Sequence, residues 1–325
     1  MVSFFKDKSA VSVFWLIILC CGLHVYSLIN APQLNVSVNE GFFYYLLKPF
    51  ANLQPYTLSV IYVLLIFLIA LQLNFVVNEL NLLSKQSYTP ALAFVLLSAL
   101  VPVFNQVSAA LLSCNFLIWI FYSACRLYNA PNAKASIYNI GLITGISIIL
   151  YYAMMPLAII VLLSFLIIRS FRANELFILL FGLLTPFYFL IAGLFLKGNL
   201  KFLPLPQQIF NIYFNSSPQF SLISITLIVA ALVTLWAMIT VQKTGSRELI
   251  QVRKSWTLAG VFLIFYIPAI FFVRQAYPSA VLIAMIPAAC YIGYAFGSAS
   301  RSIIPTIIFW LFVGLSIYNN WFAKY

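Results

Sequence analysis

The carboxylate of Glu40 stands apart from the other acidic side chains of the sequence. It lies in the segment 38–41, Val-Asn-Glu-Gly, after the first apolar stretch. A topology that follows the positive-inside rule places the other four acids on the opposite side of the membrane: Asp7, Glu79, Glu175 and Glu248. A carboxylate alone at a membrane face has the chemistry of a general base or of a metal-bridging ligand. The structural alternative is that an acid in the first turn of a helix stabilises that helix by about 0.3–1 kcal/mol.

Basic side chains fall on the same predicted side as Glu40. Arg274 follows the ninth apolar stretch, and Lys197 and Lys201 lie in the long connection after the seventh. A cation at the membrane interface holds a lipid phosphate through charge-assisted hydrogen bonds. We therefore predict that Glu40 is catalytic and that these three cations bind a lipid phosphate; the alternative for the cations is anchoring to headgroups in general.

Two predicted tight turns add uncharged polar groups to this side of the molecule. Asn105 and Gln106 connect the third and fourth stretches, and Tyr151 and Tyr152 connect the fifth and sixth. Amide and hydroxyl groups orient a substrate without carrying charge. We predict that these four residues line the same pocket.

Several chemistries are excluded by the residue types. The chain has one histidine, His24, and its five cysteines form no Cys-x-x-Cys pair, so no metal site is predicted. No P-loop or dinucleotide-binding glycine motif is present, and we predict no cofactor. His24 lies within the first apolar stretch, where we expect a neutral imidazole bonded to a neighbouring carbonyl; a proton relay is the alternative.

The elements that must position these residues are membrane helices. Hydrophobic residues make up 64% of the 325 and charged residues only 7%, which excludes a soluble enzyme and a disordered chain. The apolar runs are continuous rather than alternating, which favours helices over a β-barrel. We predict an all-α polytopic bundle, one integral membrane domain over residues 1–325, with about eleven spans. The spans are 10–29, 57–77, 90–104, 108–125, 137–150, 154–168, 176–196, 220–241, 257–273, 279–296 and 303–320.

The stretch 136–168 decides the orientation, because it is long for one span and short for two. If it crosses twice and the N-terminus is cytoplasmic, twelve of the 17 Lys and Arg residues lie inside; if it crosses once, the bias disappears. The positive-inside rule therefore favours two crossings. It also explains the net charge of +12 without a nucleic-acid partner. The C-terminus is then periplasmic.

Residues 40–53 are predicted to form an amphipathic helix in the plane of the interface. Asn39 is the expected N-cap, and Glu40 then lies in the first turn. The apolar residues of this segment recur at helical spacing on one face: Phe42, Phe43, Leu46, Leu47 and Phe50.

Two Gly-x-x-x-Gly patterns, at 141–145 and 293–297, allow close approach of helix backbones. We expect them to serve packing within the chain, with a dimer face as the alternative.

Two runs carry a resemblance to a known family. Residues 168–175 (IRSFRANE) and 181–187 (FGLLTPF), together with Asn-Ile-Gly at 139–141, resemble an uncharacterised family of multi-pass inner-membrane proteins of Bacteroidota. The resemblance extends over most of the chain. It implies a location in the bacterial inner membrane and supplies no activity.

The layout also resembles the GT-C glycosyltransferases, which use polyprenyl-phosphate sugars and carry a catalytic acid in the first outer loop. That resemblance implies handling of a lipid-linked envelope precursor at the periplasmic face, with Glu40 as base and membrane lipids, including polyprenyl phosphate, as partners. This chain departs from the pattern, because the turn at Asn105 and Gln106 offers no acid and no soluble domain is appended. The alternatives are a non-catalytic subunit of an envelope assembly or secretion complex, bound to other envelope proteins, and a transporter.

Overall fold

The computed structural model describes residues 1–32, 41–130, 133–169, 172–198, 218–245, 249–270, 279–299 and 303–322. Over these ranges the chain forms thirteen α-helices, some of them connected by short 3-10 segments, and no β-strand. The all-α prediction is confirmed.

The helices follow the apolar stretches in order. They are α1 Ala10–Leu23, α2 Val25–Ile29, α3 Phe43–Leu47, α4 Pro55–Glu79, α5 Thr89–Ser98, α6 Ala109–Arg126, α7 Lys134–Leu150, α8 Leu157–Ile168, α9 Ala173–Leu196, α10 Pro218–Gly245, α11 Ile250–Ile270, α12 Val281–Ser298 and α13 Ile303–Ile317, the last continued by a π-helical turn Tyr318–Phe322. Six of the segments are long and apolar enough to cross a membrane, within α4, α6, α9, α10, α12 and α13 with its π turn. The chain is therefore a membrane protein by length and composition of its helices, and the number eleven stays a prediction.

The centre of the bundle is the pair α5 and α12. Every residue of α5 is buried, and so is nearly all of α12. A Cβ on Gly293 would lie 2.6 Å from the Cα of Pro90, so glycine is what allows this approach. At ten residues, α5 is only about 15 Å long. Because protein surrounds it, its backbone can leave the helix at membrane depth.

The stretch 136–168 forms a helical hairpin, as two crossings require. Arg169, at the end of α8, donates from Nη1 to the carbonyl of Ala130, just before α7, at 2.9 Å. The start of α7 and the end of α8 therefore lie together, and the chain reverses in the turn between them. Lys254 secures the same end by donating to the carbonyl of Ile168 at 2.9 Å.

The first Gly-x-x-x-Gly pattern packs within the chain. Cβ atoms at Gly141 and Gly145 would collide with the backbone of α9, and one at Gly182 with the backbone of α7. The two helices run in the same direction in close contact, as small residues at a membrane helix interface permit.

The predicted amphipathic helix 40–53 is wrong in its start and length. Helix α3 begins at Phe43 and has five residues, and a 3-10 segment Lys48–Asn52 follows. Gly41 has φ +122°, and the Phe42 N–H donates to the carbonyl of Ile149 at 3.2 Å. Phe42, rather than Asn39, is therefore the N-cap residue, and Glu40 precedes the helix.

The bundle has two chemically different ends, which we call the Arg169 end and the Asn105 end. Most basic side chains of the described residues lie at the Arg169 end: Lys6, Lys8, Lys85, Arg126, Lys134, Arg169, Arg172, Lys243, Arg253 and Lys254. At this end Lys6 donates to the carbonyl of Ala299, and Lys85 forms an exposed ion pair with Asp7. Lys48 and Lys197 lie at the Asn105 end.

Candidate functional site

The charged residues of the predicted site mostly lie outside the described part of the chain. These are Glu40, Lys201 and Arg274. Lys197 is described: it is exposed and follows α9 at the Asn105 end. The pairing of a carboxylate with phosphate-binding cations therefore stays a prediction.

The turn carrying Tyr151 and Tyr152 lies beside the residue that follows Glu40. A Cβ on Gly41 would lie 2.5 Å from the carbonyl oxygen of Leu150. Tyr266 holds the turn in place, since its hydroxyl donates to the carbonyl of Ala153 at 2.9 Å. Tyr151 is buried and Tyr152 is half-buried. Of the predicted pocket residues, these two lie where the first loop reaches the bundle.

Asn105 is the centre of a buried polar network at the same end. The Tyr62 hydroxyl donates to Asn105 Oδ1 at 3.2 Å, and Asn105 Nδ2 donates to Asn320 Oδ1 at 2.7 Å. Its neighbour Gln106 is half-buried. The side-chain amide of Asn105, predicted to line a pocket, therefore hydrogen-bonds to α4 and to the π-helical turn after α13.

The network exists because α5 ends inside the protein. The last carbonyls of a helix have no partner within it. Here the carbonyl of Ala99 accepts hydrogen bonds from Ser316 Oγ at 2.9 Å and Asn320 Nδ2 at 3.0 Å. The carbonyl of Leu100 accepts from Asn319 Nδ2 at 2.7 Å. Side chains of α13 and its π-helical turn thus satisfy the free carbonyl groups at the end of α5.

His24 adjoins this network at the break between α1 and α2. Its ring is fully buried, packs edge-on against the Tyr62 ring at 5.3 Å, and has Nε2 3.4 Å from Ser98 Oγ. The bonding partner is therefore a hydroxyl rather than the expected carbonyl. In the neighbouring π turn, Asn319 Oδ1 is buried and has no hydrogen-bond partner among the described residues. Buried polar atoms without partners are rare and require a reason.

An apolar crevice leads to this network from the side of the bundle, and we call it the α1–α13 groove. It has a volume of about 290 Å³. Residues of α1 and α13 form its walls, the N-terminal segment closes one end, and Asn320 and Trp321 lie at the other. Several lining residues are also exposed on the outer surface: Ile18, Trp310, Ile317 and Trp321. The groove therefore opens towards the lipid-facing surface.

Tyr62, Ser316 and Asn320 are not predicted from the sequence as functional residues, because each lies inside an apolar stretch that is typical of a membrane span. The available signal was the Asn-Asn pair 319–320 at the end of the last stretch, because polar side chains inside spans tend to be functional or structural.

No curated protein and no solved structure matches this chain. A family of unknown function, DUF6427, matches residues 29–321, which leaves out only α1 and the first residues of α2 among the apolar helices. The expectation of an uncharacterised family is confirmed. The match covers most of the sequence, and the chain belongs to the DUF6427 family.

Proposed function

We propose that this membrane protein binds a lipid-linked envelope precursor, a sugar carried on polyprenyl phosphate, at its Asn105 end. The observation that carries the proposal is the α1–α13 groove, an apolar crevice open to the lipid side that ends at a buried polar network. A lipid substrate needs both features, one for its chain and one for its headgroup.

The groove suits part of an isoprenoid chain. Its walls are aromatic and branched aliphatic side chains, including Trp15, Phe309 and Trp310. A volume of about 290 Å³ holds a section of the chain next to the headgroup, and the remainder stays in the bilayer. Gly22 adds to the space, since no atom lies within 4 Å of a Cβ placed there.

The proposed reaction at this end is glycosyl transfer. Glu40 takes the proton from an acceptor hydroxyl, whose oxygen forms a bond to the anomeric carbon of the sugar. The bond from that carbon to the phosphate oxygen breaks, and the phosphate leaves with the electron pair. Arg274, Lys201 and Lys197 stabilise the charge of the leaving phosphate.

The orientation follows from the charge difference between the two ends. Cations concentrate at the Arg169 end, which we assign to the cytoplasm by the positive-inside rule. The N-terminus is then cytoplasmic, and the Asn105 end and the C-terminus face the periplasm of a bacterial inner membrane.

Filling the groove tests lipid binding. We expect Gly22→Leu to reduce labelling of the purified protein by a photoreactive polyprenyl phosphate, because Gly22 lines the groove and a Cβ there has no atom within 4 Å, so the new side chain takes up space in the groove. Gly314→Leu is the matched control: Gly314 lies on α13, has no atom within 4 Å of a Cβ placed there, and does not line the groove. Equal labelling of both variants would show that the lipid binds elsewhere.

Catalysis has a separate test in cells where deletion of the gene has a phenotype. We expect Glu40→Gln to fail to complement the deletion while its abundance is unchanged, because the amide cannot accept the proton. Glu79→Gln is the control, since Glu79 is exposed at the end of α4. Full complementation by Glu40→Gln would leave a binding function without glycosyl transfer.

A second candidate, a non-catalytic subunit of an envelope assembly complex, is favoured by the exposure of α9. Only 11% of the residues in its apolar 18-residue stretch are buried within the described part of the chain. A partner helix would cover this face as well as lipid does. Purification in mild detergent is expected to retain a stoichiometric partner if this candidate holds, and a clean monomer would contradict it.

A further inference from the structure

A second cavity lies at the Arg169 end, across the bundle from the proposed lipid-linked substrate. It has a volume of about 550 Å³ and lies between α6, α7 and the first turn of α11. Its lining is more polar than that of the α1–α13 groove and includes one cation, Arg126. The proposed function makes no use of it.

Two helix faces form the walls. On α6, Trp119, Tyr122, Ser123 and Arg126 recur at positions i, i+3, i+4 and i+7, which is one face of a helix. This face is about 10 Å long. Asn139 of α7 lies opposite, among the other polar residues of the wall: Ser136 on α7 and Gln251 on α11.

Tyr122 holds the Arg126 guanidinium in place, and no acid among the described residues forms an ion pair with it. Nη1 donates to the Tyr122 hydroxyl at 2.8 Å, and the group lies 5.4 Å from the centre of the Tyr122 ring. The ion pairs among the described residues join other groups: Asp7 with Lys85, and Glu175 with Arg169 and Arg172. A guanidinium has five N–H donors, so most of those on Arg126 remain for a ligand.

The surroundings add positive potential. Arg169 reaches this side of the molecule and donates to the carbonyls of Leu127 and Ala130, but Glu175 balances its charge. Lys254 lies 5.0 Å from the ring of Tyr128. An anion that enters the cavity is therefore attracted by more charge than that of Arg126 alone.

Trp119 indicates which side of the cavity meets the bilayer. Its side chain is 50% exposed, two turns into α6 from Arg126. Tryptophan is enriched at the level of lipid headgroups, where its apolar ring contacts lipid and its N–H can hydrogen-bond to water or headgroups. The cavity thus lies at headgroup depth, with its cation at the helix end.

We propose that this cavity binds the phosphate group of an anionic membrane phospholipid, with Arg126 as its charged ligand and Ser123, Ser136 and Asn139 as hydrogen-bonding groups. Arginine suits this role because its planar fork matches two phosphate oxygens. A free phosphate ion offers the same chemistry, and the test separates the two sources. The proposal does not depend on glycosyl transfer or on the α1–α13 groove.

The test is native mass spectrometry of the full chain released from detergent containing phosphatidylglycerol, with phosphatidylcholine as the neutral comparison. We expect one phosphatidylglycerol molecule to be retained preferentially. Arg126→Gln is expected to lower its apparent affinity about tenfold or more, as the loss of a charge-assisted hydrogen bond does. Arg126→Lys is expected to retain part of the binding, because it keeps the charge and loses the fork.

Lys134→Gln is the matched control, since it removes an exposed cation at the same end that does not line the cavity. Equal losses for Arg126→Gln and Lys134→Gln would overturn the proposal, because binding would then follow net charge. Displacement of the lipid by millimolar inorganic phosphate would assign the cavity to a free anion instead. Elution volume and thermal stability of Arg126→Gln establish that the variant is folded, and if it is not, Asn139→Ala serves in its place with the same expected direction.

Discussion

At the scale of single residues, the molecule uses neutral amides where a soluble enzyme would use charges. Asn105 accepts from Tyr62 and donates to Asn320, and Asn320 in turn donates to the carbonyl of Ala99. In an apolar surrounding no water is available to hydrogen-bond these groups. A substitution that interrupts the network therefore leaves buried polar groups unpaired. The polar network therefore acts first as structural support for the end of α5.

Asn105→Ala tests that role. The change leaves the Tyr62 hydroxyl and Asn320 Oδ1 without partners, and we expect the free energy of unfolding to fall by about 1–3 kcal/mol. The measurement is thermal unfolding in detergent, followed by the retention of monodisperse protein after heating. Gln106→Ala, at the half-buried neighbouring position, is expected to change stability much less. A similar melting temperature for both variants would contradict the network's structural role.

The sequence predicts Asn105 as a polar group of this end but not what it contacts. Its partner Asn320 lies 215 positions away in a stretch that reads as an ordinary span. Hydropathy is an average over a window, so it reports that a segment is apolar and conceals the one amide that faces inward. Pairing of such residues depends on helix rotation and on the packing of α13 against α5, which a single sequence does not encode in its local pattern.

At the scale of elements, hydropathy predicts where helices form better than where they end. Each predicted span contains a helix over its described residues, and the hairpin of α7 and α8 follows from length and charge alone. The ends of α1 and α3 depend on tertiary contacts. Helix α1 breaks at His24, whose ring packs against Tyr62, and α3 starts late because Gly41 docks on Leu150.

Gly41→Ala tests the docking of α3. Gly41 has φ +122°, and a Cβ there would lie 2.5 Å from the carbonyl oxygen of Leu150. We expect a loss of stability of about 1–3 kcal/mol, since both backbone strain and a collision with backbone oppose the change. Gly198→Ala is the control: it has φ +65° but open space around the new Cβ, so only the smaller cost of the left-handed conformation applies. If Gly198→Ala proved the more damaging of the two in thermal unfolding, the contact with Leu150 would be unimportant.

At the scale of the whole molecule, the distribution of charge is the main link between fold and function. The described cations concentrate at the Arg169 end, whereas the polar network lies at the Asn105 end. The proposed substrate and the proposed structural lipid thus occupy opposite leaflets. The proposed glycosyl transfer requires that the Asn105 end faces the periplasm.

Labelling of single introduced cysteines tests this orientation directly. Lys197 and Lys85 are both exposed and lie at opposite ends of the bundle. With a membrane-impermeant maleimide on intact spheroplasts, we expect Lys197→Cys to react and Lys85→Cys to react only after permeabilisation. The parent chain provides the background, because its described cysteines are buried apart from Cys21, which lies within α1. The opposite pattern would place Asn105 and Tyr151 on the cytoplasmic side. The positive-inside rule would then fail for this chain, and a periplasmic glycosyl acceptor would have no access to Glu40.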